Sequence, residues 1–233
     1  MQCLIIAAGQ GTRLRSLAPS KPLAEIAGKP LIQHIVERAR AGGATSFVIV
    51  TGYSPEPLEA FLGGLGPDIQ IVRNEEWERP NGISVAAAAP RLADDFLLMM
   101  SDHLFDPDML RGLVEAPRPD ALLLSVDRDV TSPLIDLDDA TKVVVGDDGR
   151  IVRLGKTLDE YNAVDTGLFR SGPALIEAIR ESVAAGGQGS LSEGVQRLAD
   201  QGRAFALDNG GRWWLDVDDP RAHALAEEAL APR

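Results

Sequence analysis

Cys3-Leu4-Ile5-Ile6-Ala7 runs without a break into Ala8-Gly9-Gln10-Gly11-Thr12-Arg13-Leu14, and eight residues after Arg13 stands Lys21-Pro22-Leu23. An unbroken apolar run that ends in small residues and two glycines reads as a buried strand emptying into a sharp turn. The glycines let the backbone aim several N–H groups at one point, a nest for an anion. Arg13 and Lys21 set mobile positive charge beside that nest, as a polyphosphate requires. Neither widespread phosphate motif is present: Leu14 stands where a dinucleotide fingerprint needs its third glycine, and no Gly-Lys-Ser/Thr follows Gly9. A glycine-rich turn alone is compatible with no ligand. With Arg13 and Lys21-Pro22-Leu23 added, the stretch reads as a grip for a nucleoside triphosphate through Ala8, Gly9, Gly11 and Thr12.

Outward from this stretch, apolar runs alternate with helical spacing. Leu31, Ile32, Ile35, Val36 and Ala39 predict a helix closed by Gly42-Gly43, and 47–50, 69–72 and 96–100 predict buried strands. Helices are expected over 58–62 and 83–89. This alternation calls for an α/β, Rossmann-like, mostly parallel sheet with helices on both faces. After Val126 the pattern changes: 141–145 and 151–154 flank Gly146-Asp147-Asp148-Gly149 and predict an antiparallel hairpin, a small substrate lobe. Strands at 164–169 and 213–217 and helices at 173–185 and 192–200 complete the reading. Asp219 is expected to cap a last helix with Pro220 in its first turn. One domain over 1–233 is expected, with a nucleotide-binding half at 1–126 and an acceptor-binding half at 127–233.

Composition removes several classes. A formal net charge of −12 argues against nucleic acid and against an anionic membrane surface. The lone Cys3 offers no disulfide framework and no zinc cluster. No stretch has the apolar length to span a bilayer, and no basic region precedes an apolar one at the N-terminus, so neither membrane insertion nor a leader is expected and the cytoplasm is.

In open α/β sheets, ligands bind beyond the carboxyl ends of strands. Asp102 follows the strand ending at Met100, and Asp216 and Asp218 end the last strand. Each is either a cap or a turn residue taken singly; together, beside the glycine loop, they make a set for Mg2+, which takes a few carboxylates plus phosphate oxygens. His103 has no metal-ligand spacing to the other histidines and is expected to support Asp102 rather than act as a base. Asn81-Gly82-Ile83-Ser84 either reads a nucleoside through Asn81 and Ser84 or is a plain helix start. Lys156 either meets a phosphate on a second substrate or is a solvated surface lysine, with Asp165-Thr166-Gly167 in the next strand.

These residues resemble the opening signature of the sugar-phosphate nucleotidylyltransferases, of nucleotide-diphospho-sugar transferase fold. Later segments resemble the CTP:inositol-1-phosphate cytidylyltransferases within that superfamily: Asn81-Gly82-Ile83-Ser84, Ser101-Asp102-His103, Ala140-Thr141-Lys142, Leu154-Gly155-Lys156, Val164-Asp165-Thr166-Gly167, Leu191-Ser192-Glu193 and Trp214-Leu215-Asp216-Val217-Asp218. The resemblance implies that an alcohol or sugar phosphate attacks the α-phosphorus of a nucleoside triphosphate, CTP and inositol 1-phosphate being the favoured pair, and that pyrophosphate leaves. It implies catalytic roles for Arg13 and Lys21, Mg2+ on Asp102 with Asp216 and Asp218, and nucleoside contacts from Asn81 and Ser84. It also implies acceptor contacts from Lys142, Lys156, Asp165, Thr166 and Glu193. Relatives of this kind are often fused to a membrane phosphotransferase that uses their product, which here is expected as a separate downstream partner. The competing readings are a phosphocholine cytidylyltransferase, a hexose-1-phosphate nucleotidylyltransferase, a nucleotide-sugar glycosyltransferase and a noncatalytic nucleotide-binding protein. The first would want an aromatic cage from Trp77, Tyr161, Trp213 and Trp214. The glycosyltransferase would want Asp-x-Asp where Asp102-His103-Leu104 stands.

Overall fold

A computed structural model of the chain describes residues 1–14, 18–117 and 121–231. In chain order the elements are β1 (Gln2–Ala7), β2 (Glu25–Ile26), β3 (Lys29–Pro30), α1 (Leu31–Ala41), β4 (Ser46–Thr51), α2 (Pro55–Gly63), β5 (Ile69–Arg73), α3 (Gly82–Ala88), β6 (Phe96–Met100), β7 (His103–Phe105) and α4 (Pro107–Glu115). They continue with β8 (Leu122–Asp127), β9 (Lys142–Val145), β10 (Ile151–Gly155), β11 (Ala163–Ser171), α5 (Pro173–Ala184), α6 (Leu191–Asp200), β12 (Ala204–Asp208), β13 (Trp214–Asp216) and α7 (Pro220–Leu230).

Nine strands form the main sheet. Its first half is parallel: β1 lies between β4 and β6, and β5 borders β4. Side chains alternate across a strand, so a strand covered on both faces must be apolar at every position. β1 meets this requirement from Cys3 onward. Cys3, Ile5 and Ala7 pack with residues of α1, α2, α4 and α7 on one face. Leu4, Ile6 and Ala8 pack with residues of α3, α5 and α6 on the other.

The second half joins through β11, antiparallel to β6, β8 and β9, while β12 adds parallel to β8. Residues 168–171 of β11 pair with β6, and Ala163 and Val164 pair with β9. β6 leaves the sheet at Met100, and the β9–β10 hairpin takes up its place beside β11. Between the two stretches the register of β11 against β8 shifts, from Asp165 to Phe169, and a cleft lined by Asp165, Gly167 and Phe169 opens there. Two small antiparallel sheets lie off the main one: β2 with β3, and β13 with β7. The last strand expected from the sequence therefore pairs outside the main sheet, with His103 opposite Asp216. No helix among the described residues is long and apolar enough to cross a membrane.

Candidate active site

The glycine loop folds against Lys21. Gly11 has φ +54, and a Cβ there would collide with the Lys21 stem, so glycine is required both for the left-handed turn and for the close approach. Gly9, Gly11, Thr12, Arg13, Lys21 and Asp102 line one cavity of about 320 Å3. Ala8 does not: it is buried, and its carbonyl accepts from the Tyr53 N–H at 3.0 Å. Packing against the core, not the loop's opening, claims that residue.

Lys21 is only 8% exposed, and its Nζ bonds Asp102 Oδ2 at 2.6 Å and pairs with Asp218 Oδ1. Arg13, half exposed, pairs with Asp218 Oδ2 and with Asp139 Oδ2, the latter at 2.7 Å. Asp139 also takes Lys156. A chain of alternating charges thus crosses the cleft from the glycine loop to the hairpin. Hydrogen bonds from Lys156 and Arg13 hold the Asp139 carboxyl below its usual range. Burial works against ionising Asp102, but Lys21 and His103 outweigh it and keep its carboxyl well below the usual range.

Beyond Asp102 the cleft continues into a second cavity of about 240 Å3, lined by Asp139, Thr141, Lys156, Asp165, Trp214 and Asp216 among others. The two cavities share Arg13, Asn81, Met100, Asp102 and Asp218. Asp165 Oδ1 accepts from the Gly167 N–H at 2.7 Å, and burial pushes its carboxyl up to about 6. Burial also raises Asp216, and the negative Asp102 adds to this. The Asp216 Oδ1 atom is buried with no hydrogen-bond partner among the described residues.

Single ligand atoms of Asp102, His103 and Asp216 lie within 4.8 Å of one another. The donor chemistry fits Mg2+ through the two carboxylates, whose hard oxygens it prefers; the orphaned Asp216 oxygen is what a cation would satisfy. The His103 Nδ1 atom is already bonded to Asp102 Oδ1 at 2.7 Å. Both Asp218 oxygens are taken by Lys21 and Arg13.

Four other expected site residues are not brought to the cleft. Ser84 is 2% exposed and its Oγ accepts from Asn74 Nδ2 at 3.0 Å. Thr166 is fully buried and donates to the Ser125 carbonyl at 2.9 Å. Glu193 closes a capping box with Ser190 at the start of α6 and accepts from the N–H groups of Gln188, Gly189 and Ser190 and from Ser182 Oγ. Lys142 donates to the Lys156 carbonyl at 3.0 Å and lies over the Tyr161 ring. Asn81 does border both cavities, but its Oδ1 accepts from the Leu191 N–H at 2.9 Å instead of capping α3. Asp139, Asp136 and Arg221 also line the second cavity, and no sequence motif named above includes them. Asp139 sits in the aperiodic run 136–140, where no spacing singles it out.

The profile of the MobA-like NTP transferase domain family matches residues 3–161. A "Bifunctional IPC transferase and DIPP synthase" of Rubrobacter xylanophilus is 36% identical over 230 residues, 97% of this chain and 51% of that protein. The chain spans about half the length of the curated relatives of that name. A UTP–glucose-1-phosphate uridylyltransferase of Haloferax volcanii is 28% identical, covering 99% of this chain and 96% of its own. Among solved structures, the inositol-1-phosphate CTP transferase from T. maritima superposes with a TM-score of 0.85 at 28% identity, over 99% of this chain and 98% of that one.

Proposed function

The chain belongs to the MobA-like NTP transferase domain family and is a nucleotidyltransferase, and within that class we propose that it transfers CMP from CTP to inositol 1-phosphate, releasing pyrophosphate. The observation that carries this reading is the pair of adjoining cavities sharing Asp102, Arg13 and Asp218, with one cationic end at Lys21 and another at Lys156. A reaction between two phosphorylated substrates needs two phosphate-binding ends that meet at the reacting phosphorus. On this reading residues 1–126 hold the nucleotide and residues 127–233 the acceptor.

The mechanism asks the protein for positioning and charge neutralisation, not covalent chemistry. The loop N–H groups of Gly9 to Arg13 and the Arg13 guanidinium hold the triphosphate. Lys21 leaves its carboxylate partners for the α-phosphate, where negative charge builds as the acceptor oxygen attacks. Lys156 leaves Asp139 for the acceptor phosphate, and Asp165 accepts from acceptor hydroxyls. Mg2+, held by Asp102 and Asp216 with Asp218 close by, would neutralise charge on the phosphates.

The polyol acceptor is favoured over phosphocholine because the aromatic residues are dispersed. Trp77 packs on Tyr53, Tyr161 lies beneath Lys142 and Trp213 beneath Arg38, leaving Trp214 of the four at the cleft. A hexose 1-phosphate is the second reading, supported by the Haloferax volcanii relative. The test crosses four nucleoside triphosphates with inositol 1-phosphate, phosphocholine and glucose 1-phosphate and reads pyrophosphate. The highest kcat/KM is expected for CTP with inositol 1-phosphate; a higher value for UTP or dTTP with glucose 1-phosphate overturns the assignment.

A further inference from the structure

We propose that His103 is a positioning residue that holds Asp102 and Asp216 in one register for a divalent cation, its ring locked by Trp214, Asp127 and Gly167. This rests on the metal reading of the two aspartates given above, and deepens it.

The backbone brings the two carboxylates together. His103 pairs directly with Asp216 across β7 and β13, and the Val217 N–H bonds the Asp102 carbonyl at 2.9 Å. Two carboxylates held this close repel each other unless a positive or donor group lies between them. The His103 Nδ1 atom is that group: it is 2.7 Å from Asp102 Oδ1 and 3.8 Å from Asp216 Oδ1. An ionised carboxylate only accepts, so Nδ1 carries the proton. The bond fixes which oxygen of Asp102 faces the histidine, and Oδ2 is left toward Lys21.

The ring itself cannot turn freely. It stacks on Trp214 with centroids 5.9 Å apart and planes at 13°. Trp214 is tied in turn, its Nε1 donating to the buried Asp127 Oδ2 at 2.7 Å. On another side stands Gly167, with φ +76, where a Cβ would lie 2.6 Å from His103 Cδ2 and 2.9 Å from Nε2. With Nδ1 engaged by Asp102 and the Cδ2–Nε2 edge packed beside Gly167, the ring is held by its neighbours on two sides. An imidazole held in this way orients the ligands. The other two histidines do different work, His34 bonding the Ile26 carbonyl and His223 the Glu25 carbonyl.

The test compares variants that differ in where a donor stands. The amide nitrogen of His103→Asn can occupy the place of Nδ1. His103→Phe keeps the stacked ring without a donor. Mn2+ binding to each purified protein is measured by electron paramagnetic resonance, alongside thermal unfolding in metal-free buffer and the Mg2+ dependence of turnover. His103→Phe is expected to weaken Mn2+ binding by about tenfold or more and to raise the Mg2+ needed for half-maximal rate. His103→Asn should stay within about threefold of the parent, and Trp214→Phe, which frees the ring plane from Asp127, should fall between them. Parent-like Mn2+ binding by His103→Phe overturns the proposal while the metal reading stands. Equal losses in His103→Asn and His103→Phe, tracking equal falls in Tm, reduce the residue to packing and also overturn it. Should the parent and Asp102→Asn bind Mn2+ alike, the metal reading itself fails and the proposal with it.

Discussion

The two ends of the cleft are built differently. At the end proposed for the nucleotide, Lys21 is 8% exposed and held by two carboxylates beyond the buried parallel strands β1 and β6. At the end proposed for the acceptor, the Lys156 side chain is 58% exposed, just past a hairpin that leaves several of its positions open, and one carboxylate of an irregular loop holds it. A charge with little solvent around it is already desolvated and aimed, so it acts strongly on charge that develops in a transition state. A half-solvated charge gains less from the same step and serves mainly to hold a ground-state phosphate. Under the proposed function, the contrast predicts an effect on rate at one end and on affinity at the other.

The largest expected effect is on Lys21. Lys21→Ala should lower kcat by roughly a hundredfold, about 3 kcal/mol of transition-state stabilisation, with acceptor KM little changed. Lys156→Ala should do the converse, raising acceptor KM roughly tenfold with kcat nearly kept. Steady-state kinetics on both variants break the comparison if both move the same parameter.

Removing Asp139 sharpens it. Asp139→Ala frees Arg13 and Lys156 from the residue that bridges them, so both substrates should bind about two- to threefold more tightly in calorimetric titrations. Because exposed pairs contribute on the order of 0–1 kcal/mol, stability should hardly change. Weaker binding of both substrates would make Asp139 a ligand for them instead of a competitor.

A third measurement uses pH. Burial works against a charged His103, but Asp216, the Asp102 hydrogen bond and Asp165 outweigh it and push the ring from 6.5 up to about 9. Folding therefore binds a proton in that window: the stability it brings is full below 6.5 and is lost as pH rises through 9. Asp165, raised from 3.8 to about 6 by burial, acts in a separate and lower window. The Tm of the metal-free protein should fall between pH 6.5 and 9, and this fall should vanish in His103→Asn. A flat profile in the parent would show that the ring is neutral.

The smallest expected effect separates a cap from a ligand. Glu193→Ala should cost about 1 kcal/mol in urea unfolding, as lost capping interactions do, and leave acceptor KM within about twofold. A tenfold rise in that KM would restore Glu193 to the acceptor site.

The parallel half was legible in the sequence because β1, β4 and β6 are built around unbroken apolar runs, and β6 begins and ends where the apolar run 96–100 does. The antiparallel half was less so. β12, Ala204-Phe205-Ala206-Leu207-Asp208, is short and half-buried at three of its positions, and its pattern predicts no strand. Among candidate site residues, polarity at a strand end gave the side of the sheet but not the direction of the side chain. Asp165 and Thr166 are adjacent in β11, so strand alternation allows only one of them to face the cleft; Asp165 does, and Thr166 turns to the Ser125 carbonyl. The Ser190-x-x-Glu193 spacing is a capping-box signature, and reading it so would have kept Glu193 out of the acceptor set. Asp139 and the ring contacts of His103 depend on residues far apart in sequence, which no local pattern announces.

The pairing of β7 with β13 bears on how the chain matures during synthesis. Every strand of the main sheet precedes Trp214 in the chain, so the glycine loop, Lys21 and the hairpin are synthesised before the last strand. Asp102 meets its counterpart only when Asp216 arrives and the last strand zips onto His103–Phe105. A chain interrupted after β12 would carry the glycine loop and Lys21 without Asp216 and Asp218.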